Sequence, residues 1–132
     1  MKLEKYSLWD HGNVQGLLSI RRLPSSLINT LPETGYVMLD DKILVAAGFL
    51  RKVEGGFGML DGYITNPACS SEQRHAALDG ITSKLILVAK QICPSGIFIH
   101  TSNKGIISRA ENFGFKVIAD EMLTLGGSEW AF

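Results

Sequence analysis

Apolar and polar residues follow two different periods along this chain. Six stretches have the short apolar runs or the alternation typical of β-strands, at residues 2–8, 36–39, 43–51, 57–65, 97–99 and 116–125. Between them, apolar residues recur at spacings of three and four, which predicts helices. Two short helices fall within residues 10–31, interrupted near Pro24, and another lies within residues 100–115. The longest helix carries an apolar stripe made of Leu78, Ile81, Leu85, Val88 and Ile92.

The predicted order is therefore β-α-α-β-β-β-α-β-α-β, an α/β fold with a mixed sheet in one domain, residues 1–132. The turns at residues 40–42 and 54–56 join the three middle strands into an antiparallel meander. The long helix then makes the strands at 57–65 and 97–99 parallel. Because residues 97–99 are wholly apolar, we expect a central strand covered on both faces.

Composition removes several classes of function. Lys plus Arg (13) equals Asp plus Glu (13), so no net charge favours nucleic acid or an anionic membrane as a partner. The N-terminus has no apolar run like that of a signal peptide, and two cysteines without metal spacing favour a reduced, cytoplasmic protein. The segment 118–125, with Trp130 and Phe132, is a candidate for a homodimer contact.

The helix within residues 100–115 carries the most specific motif. Gly114 and Phe115 follow Asn103 at plus eleven and plus twelve. With the element order, this spacing resembles the GNAT superfamily of N-acyltransferases. The resemblance implies an N-acetyltransferase with acetyl-CoA as co-substrate, an amine acceptor and no metal. It further implies that the fourth and fifth strands splay apart around the pantetheine arm, and that the next helix receives the pyrophosphate.

Two features depart from that family. Its phosphate loop is rich in glycine, whereas the stretch NPACSSEQRHAALDG, residues 66–80, has no glycine at the corresponding positions. At plus seven from Asn103, where the family often has the tyrosine that protonates the thiolate, this chain has Ala110. These departures favour an alternative function, that of a non-catalytic GNAT-like binding or structural module.

The long helix begins with residues that fit two interpretations. The resemblance assigns acyl-CoA contacts to Ile64 and Thr65 at the end of the preceding strand and to Asn103. It assigns pyrophosphate contacts to a set of polar residues at the helix start, namely Ser70, Ser71, Gln73, Arg74 and His75. Alternatively, Ser70 and Gln73 form a capping box that uses the same backbone N–H groups. Asn103 likewise fits either a pantetheine contact or an ordinary N-cap.

Acyl transfer to an amine needs a base, a stabilised oxyanion and a protonated leaving group. Strand alternation predicts that Asp61 and Tyr63 share one face, with Asp61 as the base and Tyr63 as the acid or a pocket wall. Glu54 is a weaker base candidate, and Asp61 has the alternative of simply facing water. A backbone N–H of residues 60–63 would polarise the thioester, particularly if Gly62 marks a β-bulge.

The remaining candidates have structural interpretations. Gly114 and Phe115 are typical of a helix end, where glycine adopts a left-handed conformation and the next apolar residue packs back. Cys69 lacks the surroundings of a nucleophile. The three histidines are too dispersed to form a zinc site.

Overall fold

The computed structural model describes residues 1–120 of the chain. These residues belong to two compact units, the first being Met1–His100 and the second beginning at Thr101. The first unit contains the whole described sheet, two α-helices and two short 3-10 helices. The second unit contributes one helix to the described residues, and each unit is presented by itself below.

The first unit opens with strand β1 and helix α1, and continues as a strand meander followed by the longest helix. The strands are β1 (Lys2–Lys5), β2 (Thr34–Asp40), β3 (Ile43–Val53), β4 (Phe57–Thr65) and β5 (Gly96–Phe98). The α-helices are α1 (His11–Ile20) and α2 (Ser71–Ile92), and the 3-10 helices are Leu8–Asp10 and Ser25–Thr30.

The five strands lie in the order β1-β2-β3-β4-β5, so each strand pairs with its neighbour in sequence. The first three pairings are antiparallel, and only β4 with β5 is parallel. The predicted meander and the parallel crossover through α2 are both confirmed. A parallel pair needs a long connection, which α2 supplies, whereas the meander strands need only tight turns.

The sheet buries apolar side chains on both faces. On one face, Phe49 is fully buried against Val14, Leu17 and Leu18 of α1. On the other face lies α2, whose Ile81 is also fully buried. The middle strand β3 therefore reads as a continuous apolar run because both of its faces are covered.

Helix α2 confirms the predicted stripe at its centre and corrects it at its ends. Ile81 and Leu85 are fully buried, as expected, but Ala77 and Ala89 complete the buried row at a spacing of four. Ile92, which the stripe included, is 36% exposed. Small alanine side chains let the helix axis approach the sheet closely, so the contact line follows them rather than the larger residues.

Three other expectations differ from the structure. The second helix predicted within residues 10–31 is the 3-10 helix Ser25–Thr30 rather than an α-helix. Residues 97–99 are half-buried at one edge of the described sheet, so they are not covered on both faces. Residues 116–120 form no strand, and residues 121–125, Trp130 and Phe132 lie outside the described residues.

In the second unit, helix α3 (Lys104–Asn112) has regular caps at both ends. Asn103 is its N-cap, and its side-chain oxygen accepts a hydrogen bond of 3.1 Å from the N–H of Ile106. Gly114, at φ 94°, ends the helix, and the N–H of Phe115 donates to the carbonyl of Ala110 at 3.0 Å. This is the predicted left-handed glycine ending, in which an otherwise unpaired helix carbonyl is satisfied.

Phe49→Ala should destabilise the protein by about 3–5 kcal/mol, because it removes a fully buried ring and leaves a cavity. Leu87, which lies on α2 and is 57% exposed, provides the matched control. Leu87→Ala should change the free energy of unfolding by about 0.5 kcal/mol or less. Urea denaturation measures both, and equal losses would contradict this assignment of the core.

The free energy of unfolding should also decrease at alkaline pH, because Tyr6 ionises. The Tyr6 ring packs edge-on against Phe49, with 5.0 Å between the ring centroids. Burial, followed by the charge of Asp10, raises the pKa of Tyr6 above its ordinary 10.0. The unfolded chain then releases this proton first, so stability is retained below about pH 10 and declines as pH rises through the raised value. Tyr6→Phe should flatten that decline in urea denaturation at increasing pH, and an unchanged slope would contradict it.

Candidate functional site

Strands β4 and β5 separate after a short parallel ladder. The ladder pairs Phe57 with Gly96, Gly58 with Ile97 and Met59 with Phe98, and it ends there. Strand β4 runs on to Thr65, but no strand within residues 1–120 continues the ladder beside residues 60–65. Within residues 1–120, the edge of β4 at residues 60–65 therefore has no strand partner on this side, and this opening in the ladder lies where the resemblance predicts a wedge between splayed strands.

A β-bulge in β4 lies beside this opening. Ala47 pairs with Ile64 and Phe49 pairs with Asp61, so β4 has one more residue than β3 over the same stretch. Gly62 is in the bulge at φ 66°, a left-handed conformation that glycine adopts without a Cβ clash. The bulge that the sequence suggested at Gly62 is confirmed.

The bulge overturns the prediction that Asp61 and Tyr63 share one face. A Cβ on Gly62 would meet the Phe49 ring at 2.9 Å, on the α1 side of the sheet. A Cβ on Gly48 would meet the Tyr63 ring at 2.8 Å and Ile81 of α2 at 2.8 Å. The extra residue shifts the alternation, so Tyr63 points towards α2 whereas Asp61 remains on the α1 side.

The Tyr63 hydroxyl is engaged on the α2 side. It lies 3.0 Å from the hydroxyl of Thr82, which is itself buried. A phenol held there is separated from Asp61 by the thickness of the sheet. Its contact with Thr82 joins β4 at the bulge to α2.

Asp61 forms an ion pair with Arg51, a residue that the sequence did not single out. The carboxylate Oδ2 accepts a hydrogen bond from Arg51 Nε at 3.0 Å and lies 2.9 Å from Nη2. Its Oδ1 accepts from the Gly62 N–H at 2.8 Å, and Arg51 Nη2 also donates to the Thr30 carbonyl at 2.7 Å. Arg51 pairs with Met59, and Asp61 lies two residues further along β4, so Arg51 and Asp61 are diagonal neighbours on one face. The turn at residues 54–56 fixes this register, and the sequence could have indicated the pair.

This arrangement leaves one acceptor position on the carboxylate. An ionised carboxylate has about four lone-pair sites; two Arg51 nitrogens lie against Oδ2, and the Gly62 N–H takes one site on Oδ1. The remaining site is on Oδ1, and the Asp61 side chain is 37% exposed. Asp61 is thus fixed in orientation yet accessible to one further hydrogen-bond donor.

The ion pair lies at one end of a cavity of about 170 Å³. The polar lining consists of Arg51, Asp61, Thr30 and the bulge residues, and the remaining walls are aliphatic. These aliphatic residues come from α1, the segment after it and β4, namely Val14, Leu18, Leu23, Leu27, Leu31 and Ile64. Ile64, which the resemblance assigned to the cofactor, therefore lines this cavity.

At the start of α2, the capping box is confirmed. The Ser70 hydroxyl accepts from the Gln73 N–H at 3.1 Å, and the Gln73 side chain accepts from the Ser70 N–H at 2.9 Å. Gln73 also donates to Asp40 at 2.8 Å, so both ends of its amide are used. Ser71 is exposed at the first helical position. The backbone N–H groups of Ser71 and Glu72 have no carbonyl of the helix to donate to, because they lie in its first turn.

Arg74 turns back onto the loop that precedes α2. Its Nη1 donates to the Cys69 carbonyl at 2.6 Å and lies 3.4 Å from the Pro67 carbonyl. One guanidinium edge therefore fixes the loop. His75 is exposed one position further along the helix. Together these residues place one fixed positive charge beside the positive end of the α2 dipole.

Thr65, at the end of β4, is held from the α1 side. Arg21, the residue after α1, donates from Nε to the Thr65 carbonyl at 3.2 Å and from Nη2 to the Thr65 hydroxyl at 2.6 Å. The polar groups of Thr65 therefore already have a partner. Asn103, the remaining candidate residue, belongs to the second unit, and its hydrogen bonds there are the helix cap and a contact of its N–H with Thr101.

Comparison with solved structures identifies the fold. A Mycobacterium tuberculosis protein crystallised with CoA superposes with a TM-score of 0.72 at 16% identity, over 94% of this chain and 76% of that one. The ribosomal-protein-S18-alanine N-acetyltransferase of Escherichia coli gives 0.70 at 12% identity, over 87% and 77%. An aminoglycoside 6'-N-acetyltransferase of Acinetobacter haemolyticus gives 0.66 at 14% identity, over 98% and 99%.

The chain thus has the fold of the GNAT acetyltransferases, as the order of its elements indicated. The sequence itself matches no protein-family model and no curated protein. Within residues 1–120, no helix is long and apolar enough to cross a membrane, and no three His, Cys, Asp or Glu side chains are grouped as metal ligands.

Ser70→Ala should lower the free energy of unfolding by about 1 kcal/mol, because it removes the side-chain oxygen that caps α2. Ser71→Ala is the matched control, since the Ser71 hydroxyl makes no hydrogen bond within residues 1–120. That neighbour should change stability by about 0.5 kcal/mol or less. Chemical denaturation of the two variants measures the difference, and a larger loss for Ser71→Ala would contradict the cap.

Proposed function

We propose that this protein is an acyl-CoA-dependent N-acetyltransferase that acts on an amine. The observation that carries the proposal is the end of the β4–β5 ladder at Met59 and Phe98. An extended amide-bearing chain needs backbone partners on one side and room on the other. The free edge of β4 beyond Met59 supplies both, and the acyl-CoA arm would lie there as an additional strand.

The bulge gives this opening a place for the reacting carbonyl. A β-bulge turns backbone groups out of the regular ladder, so one N–H within residues 60–63 would donate to the thioester oxygen. The Gly62 N–H is not that donor, because it is given to Asp61 Oδ1. The role therefore belongs to another amide of this stretch.

Asp61 is the proposed base. Its single vacant lone pair would accept a proton from the attacking amine, directly or through one water molecule. The amine lone pair forms the bond to the thioester carbon, and the C–S bond then breaks. The thiolate takes its proton from solvent, since the Tyr63 hydroxyl is bonded to Thr82 on the other face.

The start of α2 favours the alternative function, a non-catalytic GNAT-like module. The Ser70 hydroxyl uses the Gln73 N–H that a phosphate would otherwise bind, and Gln73 itself is tied to Asp40. Two amides, at Ser71 and Glu72, and the free edge of Arg74 remain for an anion. Acyl-CoA binding with a reduced phosphate site is the stronger proposal, because the wedge beside β4 needs no phosphate contact to form.

Titration with acetyl-CoA and with CoA distinguishes the two functions. Each should raise the melting temperature, since a ligand at a hundred times its dissociation constant stabilises the folded state by about 2.7 kcal/mol. Arg74→Ala should reduce that shift, whereas Lys90→Ala, which removes a charge from the last turn of the same helix, should leave it unchanged. An unchanged melting temperature with both ligands at millimolar concentration would refute the enzyme proposal and favour the non-catalytic module.

Asp61→Asn should lower kcat by a factor of about 100 or more while the dissociation constant for acetyl-CoA stays the same, because only the proton acceptor is lost. Stability should change by about 1 kcal/mol or less, since the ion pair is partly exposed. Glu54→Gln tests the other base candidate, at the turn before β4, and should have little effect. Thiol release with saturating amine measures the rates, and the reverse ranking would transfer the role to Glu54.

A further inference from the structure

The cavity beside the bulge has walls that select for apolar groups. Six aliphatic side chains line it, and Leu23 and Leu27 remain 44% and 38% exposed at its mouth. Its volume of about 170 Å³ is close to that of an engineered protein cavity of roughly 150 Å³ that binds benzene. An aromatic ring or a short alkyl chain would therefore fill it.

The polar part of the cavity lining offers one hydrogen-bond acceptor to an amine nitrogen. Within residues 1–120, the charged residues that line it are Arg51 and Asp61, and their charges cancel within the ion pair. One lone pair on Asp61 Oδ1 is left to receive a hydrogen bond. A molecule inside the cavity thus meets the Arg51–Asp61 pair, with one vacant acceptor position on Asp61 Oδ1, among walls that are mostly aliphatic.

Two kinds of amine are disfavoured by this lining. A polyamine would bury a second ammonium among leucines, where the cavity lining within residues 1–120 has no second carboxylate to compensate for lost hydration. An amino acid would bring its carboxylate to Arg51, whose charge Asp61 already neutralises, and would face the like charge of Asp61.

We propose that the acceptor is a monoamine with an apolar group about the size of a benzene ring. This inference rests on the proposed function and specifies its substrate class. The amine nitrogen attacks the acetyl carbonyl carbon and its proton passes to Asp61, the C–S bond breaks, and the CoA thiolate takes a proton from solvent. The products are the N-acetylated amine and free CoA, with no further reactant.

Binding of the amine alone is the first test, by NMR titration of the protein without acetyl-CoA. Phenethylamine should shift the amide signals of cavity residues such as Leu27 and Gly62, and the signals of α2 residues such as Leu87 should stay in place. Cadaverine and free phenylalanine should leave the cavity signals unchanged at the same concentration. Equal or larger shifts with cadaverine would overturn the proposal.

Turnover is the second test, by CoA thiol release with isosteric pairs. Hexylamine and cadaverine have equal numbers of heavy atoms and differ in a terminal methyl or ammonium group, and phenethylamine differs from phenylalanine by the carboxylate. After correction for the fraction of neutral amine, kcat/KM should be at least about 100-fold higher for the apolar member of each pair. A preference for cadaverine or phenylalanine would overturn the proposal.

Variants of the cavity wall then separate this inference from general effects on the protein. Leu27→Ala should raise KM for phenethylamine about 10-fold or more with kcat retained, because binding area is lost and the reacting groups are untouched. Leu27→Glu should lower or invert the ratio of kcat/KM for hexylamine to that for cadaverine, because it adds a carboxylate that can pair with the second ammonium. Leu87→Ala, an exposed leucine on α2, should alter neither.

The two proposals fail in different ways. If acetyl-CoA raises the melting temperature and polyamines are the better acceptors, the proposed function stands and the apolar acceptor is refuted. If acetyl-CoA produces no shift and phenethylamine still binds at Leu27 and Gly62, the proposed function is refuted and the cavity retains the assigned ligand class. If phenethylamine produces no shift at those residues, the assignment of the cavity is refuted whatever acetyl-CoA does.

Discussion

The extra residue in β4 is the constraint on which the candidate site depends. It places Gly62 in a left-handed conformation against Phe49, keeps Asp61 on the side of the cavity and turns Tyr63 towards α2. Without it, strict alternation would put Asp61 and Tyr63 together and would leave the backbone of β4 regularly paired with β3. The buried Phe49 ring supports this distortion from below, so the core and the site share one side chain.

Features of the site that depend on local sequence were predictable. The limits of β4, the capping box of Ser70 and Gln73, and the glycine ending of α3 all follow from residues within a few positions of each other. The sequence also indicated the position of the bulge, because a glycine inside a strand, here Gly62, is typical of a β-bulge.

The features that the sequence missed depend on the register between strands. The prediction for Tyr63 was wrong because it assumed strict alternation of side chains along β4, and the extra residue of the bulge reverses that alternation. The pairing of Arg51 with Asp61 needed the β3–β4 register, and the burial of α2 along Ala77 and Ala89 needed the distance between helix and sheet. Residues 97–99 looked central because apolar composition cannot tell a covered strand from a half-buried edge.

Two hydrogen bonds between Arg21 and Thr65 join the end of α1 to the end of β4. The helix that walls the apolar cavity and the strand that borders the wedge are therefore tied at one point by two hydrogen bonds. Any displacement of α1 must therefore either carry the end of β4 with it or break these two hydrogen bonds.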